Sequence, residues 1–399
     1  MIRKLIEGLG IRALPGVLNL LALVALSDRL TPSAFGLYST AVAVAGFITS
    51  MVFGPLTASI VAHHAKHDVE GRAGLYESTV FTTALAIALI LAAITGIISS
   101  MGLLSWTYIA PAIALGIYTL VLEFSRARLN FWSYGIASVF QSIAFLAAIV
   151  ILVQDRDTST QALLAFTLSY VLAIVVSLGL SGWPRLIAPD IGLLIPTIRS
   201  GGGYTLSIAL ENGLYLGMRF VVMLFGSSQA LGVFSFSVDL AQRVVGIFTN
   251  ITSFIVVPLA FRGQASGASR FNSTLYKGGA IALLVSIAAL VCTHALRELG
   301  IVPVLNGPLF DPAAFTIISF AVIVNRLKKL TIDPFALRAN RAAILVFGFA
   351  VATPIALGLA IGFQKVSPLA APAAYLCGYI IAAISTFIAL RTFDKSAFT

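Results

Sequence analysis

Twelve apolar runs, each long enough to cross a bilayer, follow one another with only short polar gaps between them, and they leave few folds open to this chain of 399 residues. A membrane-spanning helix needs about 20 predominantly apolar residues. The runs read as helices at 9–29, 36–62, 76–100, 105–125, 131–154 and 161–181, then at 200–225, 231–260, 277–297, 309–328, 341–364 and 368–391. Asp311-Pro312 reads as a helix cap followed by a proline in the first turn. Pro15 and Pro55 are expected to kink the first two helices. Apolar residues make up 59% of the chain and charged ones 10%. A soluble domain carries about a quarter charged residues, so this composition excludes a water-covered globule. Cys292 and Cys377 fall inside apolar runs and read as buried free thiols, not as a disulfide. No cleavable signal peptide is expected, because the first apolar stretch runs too long and lacks a small-residue cleavage site.

The net charge of +10 would suggest nucleic acid in a soluble protein. Here the basic residues lie in the gaps between apolar runs, where they orient a membrane protein. With the amino terminus inside, nineteen of the 25 cationic residues fall on the cytoplasmic side, among them Arg72, Arg126, Arg128, Arg185 and Lys328. Four, Arg29, Arg156, Arg297 and Lys365, fall outside. Both termini are therefore expected in the cytoplasm.

A short near-repeat marks the halves. Phe35-Gly36-Leu37-Tyr38-Ser39 recurs 196 positions later as Leu231-Gly232-Val233-Phe234-Ser235. Six spans per half give both halves the same orientation, so the duplication is parallel, about an axis along the membrane normal. The expected organisation is an amino-terminal lobe over 1–182, a flexible Pro- and Gly-containing linker over 183–199, and a carboxy-terminal lobe over 200–399. Duplicated halves of this kind build transporters. The loops are too short for a catalytic domain outside the membrane.

Charges inside spans mark functional candidates, and they concentrate in two helices. On the seventh, Tyr204, Ser207, Glu211, Tyr215 and Arg219 recur at spacings of three and four, which places them on one face. On the eighth, Ser235, Asp239, Gln242, Arg243, Thr249, Asn250 and Ser253 do the same. Such stripes must face protein or water. The antiparallel register sets Arg219 opposite Asp239 and Glu211 opposite Arg243, which predicts two cross-helix ion pairs; Asp239 and Arg243 are also spaced to pair along one helix. Two readings of these charges stand side by side. They glue the two helices together, or the arginines attract an anionic substrate through the planar fork of the guanidinium, with Glu211 and Asp239 as candidates for proton coupling.

The first half offers less. Asn19 is an internal polar group on the first helix. Tyr134, Ser138, Gln141 and Ser142 form a mild stripe on the fifth helix that suits either sugar hydroxyls or helix–helix hydrogen bonding. Glu123 reads as the partner of Arg126 or Arg128 in a surface ion pair. His63, His64 and His67 fall in an expected cytoplasmic loop, and no metal site is assigned to them. No phosphate-binding loop, metalloprotease pair or nucleophile elbow is present, so the chain reads as a non-enzyme without a cofactor.

The stretch Ser27-Asp28-Arg29-Leu30-Thr31-Pro32-Ser33-Ala34-Phe35-Gly36-Leu37-Tyr38-Ser39 resembles the first outer loop of bacterial polysaccharide flippases, in the multidrug/oligosaccharidyl-lipid/polysaccharide exporter superfamily. Met218-Arg219-Phe220, Leu231 through Ser235, Asp239-Leu240-Ala241-Gln242-Arg243 and Val257-Pro258-Leu259 are similar to that family's second copy. The resemblance implies an all-helical, MATE-like V of two six-helix lobes. Its implied activity is to carry undecaprenyl-pyrophosphate-linked O-antigen or exopolysaccharide repeat units across the bacterial inner membrane by alternating access. The substrate-binding candidates it implies are Arg219, Arg243, Glu211, Asp239, Gln242, Tyr215, Asn250, Asn19 and Gln141. It further implies a monomer working beside other membrane proteins of polysaccharide assembly, in contact with membrane lipids and without nucleic acid. The eleventh span carries no carboxylate, which argues against a sodium site there. A multidrug or cation exporter of the same fold is the alternative, and an integral-membrane glycosyltransferase or polymerase the more distant one.

Overall fold

The computed structural model describes residues 2–58, 60–101, 106–264, 268–338, 342–364 and 366–393, and among these the regular structure is entirely helical. The first half comprises α1 (Ile2–Arg29), α2 (Pro32–Val52), the short α3 (Gly54–Thr57) and α4 (Ile60–Val69), then α5 (Ala73–Ser100), α6 (Trp106–Ala127), α7 (Phe131–Leu152) and α8 (Thr160–Ser181). The second half comprises α9 (Ile191–Phe225), α10 (Ser228–Gln264), α11 (Ala268–Glu298), α12 (Pro312–Thr331), the short α13 (Asp333–Arg338), α14 (Ala342–Phe363) and α15 (Ala370–Phe393).

Every expected span has a helical counterpart, and among the described residues ten helices are long and apolar enough to cross a membrane. Of the remaining expected spans, α12 carries Arg326, Lys328 and Lys329 in its last turns. Leu89, Ile151, Leu224 and Val291 are each at least 60% exposed, a surface suited to lipid and not to water. The chain is a multi-pass membrane protein. Cys292 and Cys377 are free thiols, but they lie exposed on α11 and α15, not buried as their apolar surroundings suggested. Asp311 caps α12 as expected, its Oδ1 accepting from the amides of Ala313 (2.8 Å) and Ala314 (3.2 Å).

Three local expectations are revised. The run 36–62 is not one helix: it breaks at Phe53 ahead of Gly54-Pro55, because proline cannot donate to the helical ladder. The histidine segment is not a loop but α4, with His64 and His67 buried. Part of the expected linker is helical. Only 182–190 is extended, and α9 already begins at Ile191 and runs helically through Pro196 and Gly201-Gly202-Gly203. Packing overrides composition here. A Cβ on Gly201 would sit 2.4 Å from the Pro55 carbonyl oxygen, so only glycine allows α9 to approach that break. The extended stretch is itself tied to α5, with the amides of Ile187 and Asp190 donating to Thr82 and Thr79 hydroxyls.

The chain forms two compact units, one of Met1–Ser39 with Gly213–Thr399 and one of Thr40–Asn212. The first therefore joins α1 and the opening turns of α2 to most of the second half. The second unit has its own core, where Phe53, Tyr76, Val80, Leu120, Val121 and Phe124 are buried together.

Candidate functional site

The two copies of the repeat meet inside the first unit. Helices α2 and α10 open at neighbouring hairpin ends, and their glycines make the contact. A Cβ on Gly232 would lie 2.1 Å from the Pro32 carbonyl oxygen, and one on Gly36 would lie 2.8 Å from the Gly232 amide nitrogen. Small residues at matching positions let two helix backbones approach this closely. Phe35 and Phe236 pack edge to face beside the crossing, with ring centroids 5.7 Å apart.

One turn further along each helix, the repeat's serines converge on one cation. Arg219 of α9 is wholly buried. Its Nη2 donates to Asp239 Oδ1 at 2.8 Å and to the Ser39 hydroxyl at 2.7 Å, while Nε donates to the Ser235 hydroxyl at 3.2 Å. The guanidinium lies 3.8 Å from the centroid of the Tyr215 ring. Asp239 in turn accepts from the Tyr215 hydroxyl at 2.6 Å and from Ser39. A buried guanidinium is tolerable only when paired and hydrogen-bonded, and here four side chains share that task. One nitrogen, Nη1, is buried without a hydrogen-bond partner among the described residues. The Arg219–Asp239 pair is the cross-helix pair that the register predicted.

Arg243 is placed differently. It lies one turn beyond Asp239 on α10, half-buried, and its Nη1 donates to the Asn19 carbonyl oxygen at 2.6 Å. No carboxylate pairs with it among the described residues. Glu211, its expected partner, falls in the other compact unit. Gln242 is half-buried beside Arg243. The side chain of Asn250 lies outside the described residues. Gln141 is buried in the second unit, where its Nε2 donates to the Ser169 hydroxyl of α8 at 3.2 Å; it joins two helices there.

A second polar network escaped the sequence. Glu77, in the first turns of α5, is buried and holds Arg128 through both carboxylate oxygens. It also meets His64 Nε2 at 2.9 Å. Arg128 further donates to the Ser181 carbonyl at the end of α8. Donating to the Glu77 carboxylate raises the Arg128 guanidinium above its ordinary pKa. The expected surface pair is Glu123 with Arg126, at 3.3 Å. Lys328, one of the expected cytoplasmic cations, is buried against Asp333 at 2.7 Å.

No protein-family model and no curated protein matches the sequence. Solved structures do match its shape. An inward-facing multidrug resistance MATE family transporter of the MOP superfamily superposes with a TM-score of 0.65 at 14% identity, covering 96% of this chain and 95% of that one. The fold is MATE-like. The lipid II flippase MurJ, in an inward closed conformation, shares this MATE-like fold with a TM-score of 0.65 at 13% identity, covering 96% of this chain and 87% of the other. So does a MOP superfamily transporter from Pyrococcus furiosus, described as having a binding pocket of reverse polarity, with a TM-score of 0.58 at 15% identity over 99% and 96% of the two chains.

Proposed function

We propose that this MATE-like protein is a flippase that carries undecaprenyl-pyrophosphate-linked oligosaccharide repeat units across the bacterial inner membrane, with both termini in the cytoplasm. The observation that carries this reading is Arg243. Its charge lies within a membrane-spanning helix and, among the described residues, is met by a carbonyl oxygen and no carboxylate, whereas the charge of Arg219 is neutralised by Asp239. A cation left uncompensated at that depth favours an anionic partner, and pyrophosphate oxygens match the guanidinium fork. A cationic drug would be repelled by the same charge, which disfavours the exporter alternative.

The lipid tail of such a substrate stays in hydrocarbon, but its sugar and phosphate groups would lose their water on crossing. Arg243 and Gln242 offer replacements for part of that hydration. Arg219 acts as a positioning residue that holds the two repeat copies together.

The test is flipping of a labelled polyprenyl-pyrophosphate oligosaccharide by the purified protein in vesicles, read by access of a membrane-impermeant lectin. Arg243→Ala is expected to slow flipping about tenfold or more, the worth of one charge-assisted hydrogen bond, and Arg243→Lys to restore part of it. Wild-type vesicles that flip no faster than protein-free ones would overturn the reading.

A further inference from the structure

The second compact unit carries a long apolar groove of about 530 Å³ between α5, α6 and α8. Its walls include Phe81, Ala88 and Leu89 of α5, Ala114 of α6, and Val171 and Leu178 of α8. Among the lining groups from the spans, the Thr167 hydroxyl is already engaged by its own helix, donating to the Leu163 carbonyl at 2.8 Å. The groove wall between its ends is therefore apolar and suits a hydrocarbon chain.

Its length narrows the choice of chain. Helices α6 and α8 are separated by the single antiparallel span α7, so they run in the same direction. Trp106 starts α6, and Trp183 follows the end of α8, yet both line the groove. The groove thus reaches from one membrane face to the other, with an indole at each interface, where such rings anchor. The 22 residues of α6 extend about 33 Å at ~1.5 Å per residue, against roughly 30 Å for a whole hydrocarbon core. An ordinary acyl chain fills only one leaflet of that depth.

The strap that closes one end supplies a charge. Trp183, Pro184 and Leu186 line the groove, and Arg185 between them is exposed. The strap is held on α5 through Thr82 and Thr79, and Arg185, itself outside the lining, lies in sequence between two residues that form it. We infer that this groove holds the chain of a polyprenyl phosphate lengthwise, with its phosphate at Arg185. The identity of the occupant as the substrate's own lipid carrier rests on the function proposed above; the apolar length and the terminal cation do not.

A photoreactive polyprenyl phosphate, added to the full chain in nanodiscs and mapped by peptide mass spectrometry, tests the inference. Label is expected on α5, α6 and α8. Unlabelled polyprenyl phosphate should compete it away, and phosphatidylglycerol should not. Ala114→Phe, which fills the groove, should abolish labelling. Arg185→Gln, an exposed change that leaves folding intact, should weaken it about fivefold, the worth of one cation at a membrane surface. Val150→Phe on the exposed face of α7 should leave it unchanged. Labelling elsewhere, equal competition by phosphatidylglycerol, or full labelling of both groove variants would overturn the inference. Correct labelling with no flipping by the wild type would sink the flippase reading and leave the groove standing. Flipping with label elsewhere would do the reverse.

Discussion

Ser39 and Ser235 hold the same place in the two copies of the repeat, 196 residues apart, and both accept a hydrogen bond from the one guanidinium of Arg219. The conserved geometry of a duplication is here spent on a single cation. That cation has no exposed surface, so its first consequence is for stability.

Arg219→Ala is expected to destabilise the purified protein by about 3–5 kcal/mol, because it strands a largely buried carboxylate on Asp239. Replacing both partners with leucine should cost much less than the single change, since no charge is then left unpaired. Thermal unfolding in detergent, with protein abundance as a check, measures both. A double variant less stable than Arg219→Ala would contradict the pairing.

The glycine crossing gives a second prediction with an internal control. Gly232→Ala drives a methyl into the Pro32 backbone at 2.1 Å, where no side chain can give way; it should cost about 1–3 kcal/mol as an overpacked contact. Gly46→Ala, on the facing helix α2 but with no atom of a neighbouring element within 4 Å of the added methyl, should be neutral or stabilise by up to roughly 1 kcal/mol. Melting temperatures of the two variants should therefore move in opposite directions or differ clearly.

Arg128 and Glu77 lie at the membrane edge, and the Arg128 side chain is 29% exposed. Arg128→Ala should destabilise by about 1–3 kcal/mol, less than a fully buried pair because solvent screens part of the loss. A double-mutant cycle with Glu77→Gln should show clear coupling; additive effects would mean the contact contributes nothing.

Acid sensitivity should trace partly to His63. Burial, with help from His67 and Lys66, holds its imidazole below the ordinary value of 6.5. The unfolded chain therefore binds that proton more readily than the folded one, so stability is fully present above about pH 6.5 and falls as pH drops through the lowered folded value. His63→Gln should flatten the decline in melting temperature between neutral and mildly acid pH. An unchanged slope would remove His63 from the explanation.

Much of this was legible in the sequence because hydrocarbon imposes a simple rule. Runs of about 20 apolar residues located the spans, and antiparallel register alone paired Arg219 with Asp239. What stayed hidden depended on tertiary contact. Ser39 looked unremarkable because the first half carries no charge opposite it. Glu77 sat 51 residues from Arg128, within an otherwise apolar helix. The need for glycine at Gly201 was also hidden, because only the fold brings the Pro55 backbone against it.

The positions matching Arg219 and Asp239 in the first copy are Leu23 and Ala43, both buried. The hydroxyls were kept in duplicate and the charges were not. A symmetric pair of second halves would bring two guanidiniums toward a single axis, and a pair of first halves would bring none to its two serines. Each half has become the other's obligate complement, so the two can no longer be exchanged, reordered or doubled without leaving either a surplus of charge or an unfilled claim on it.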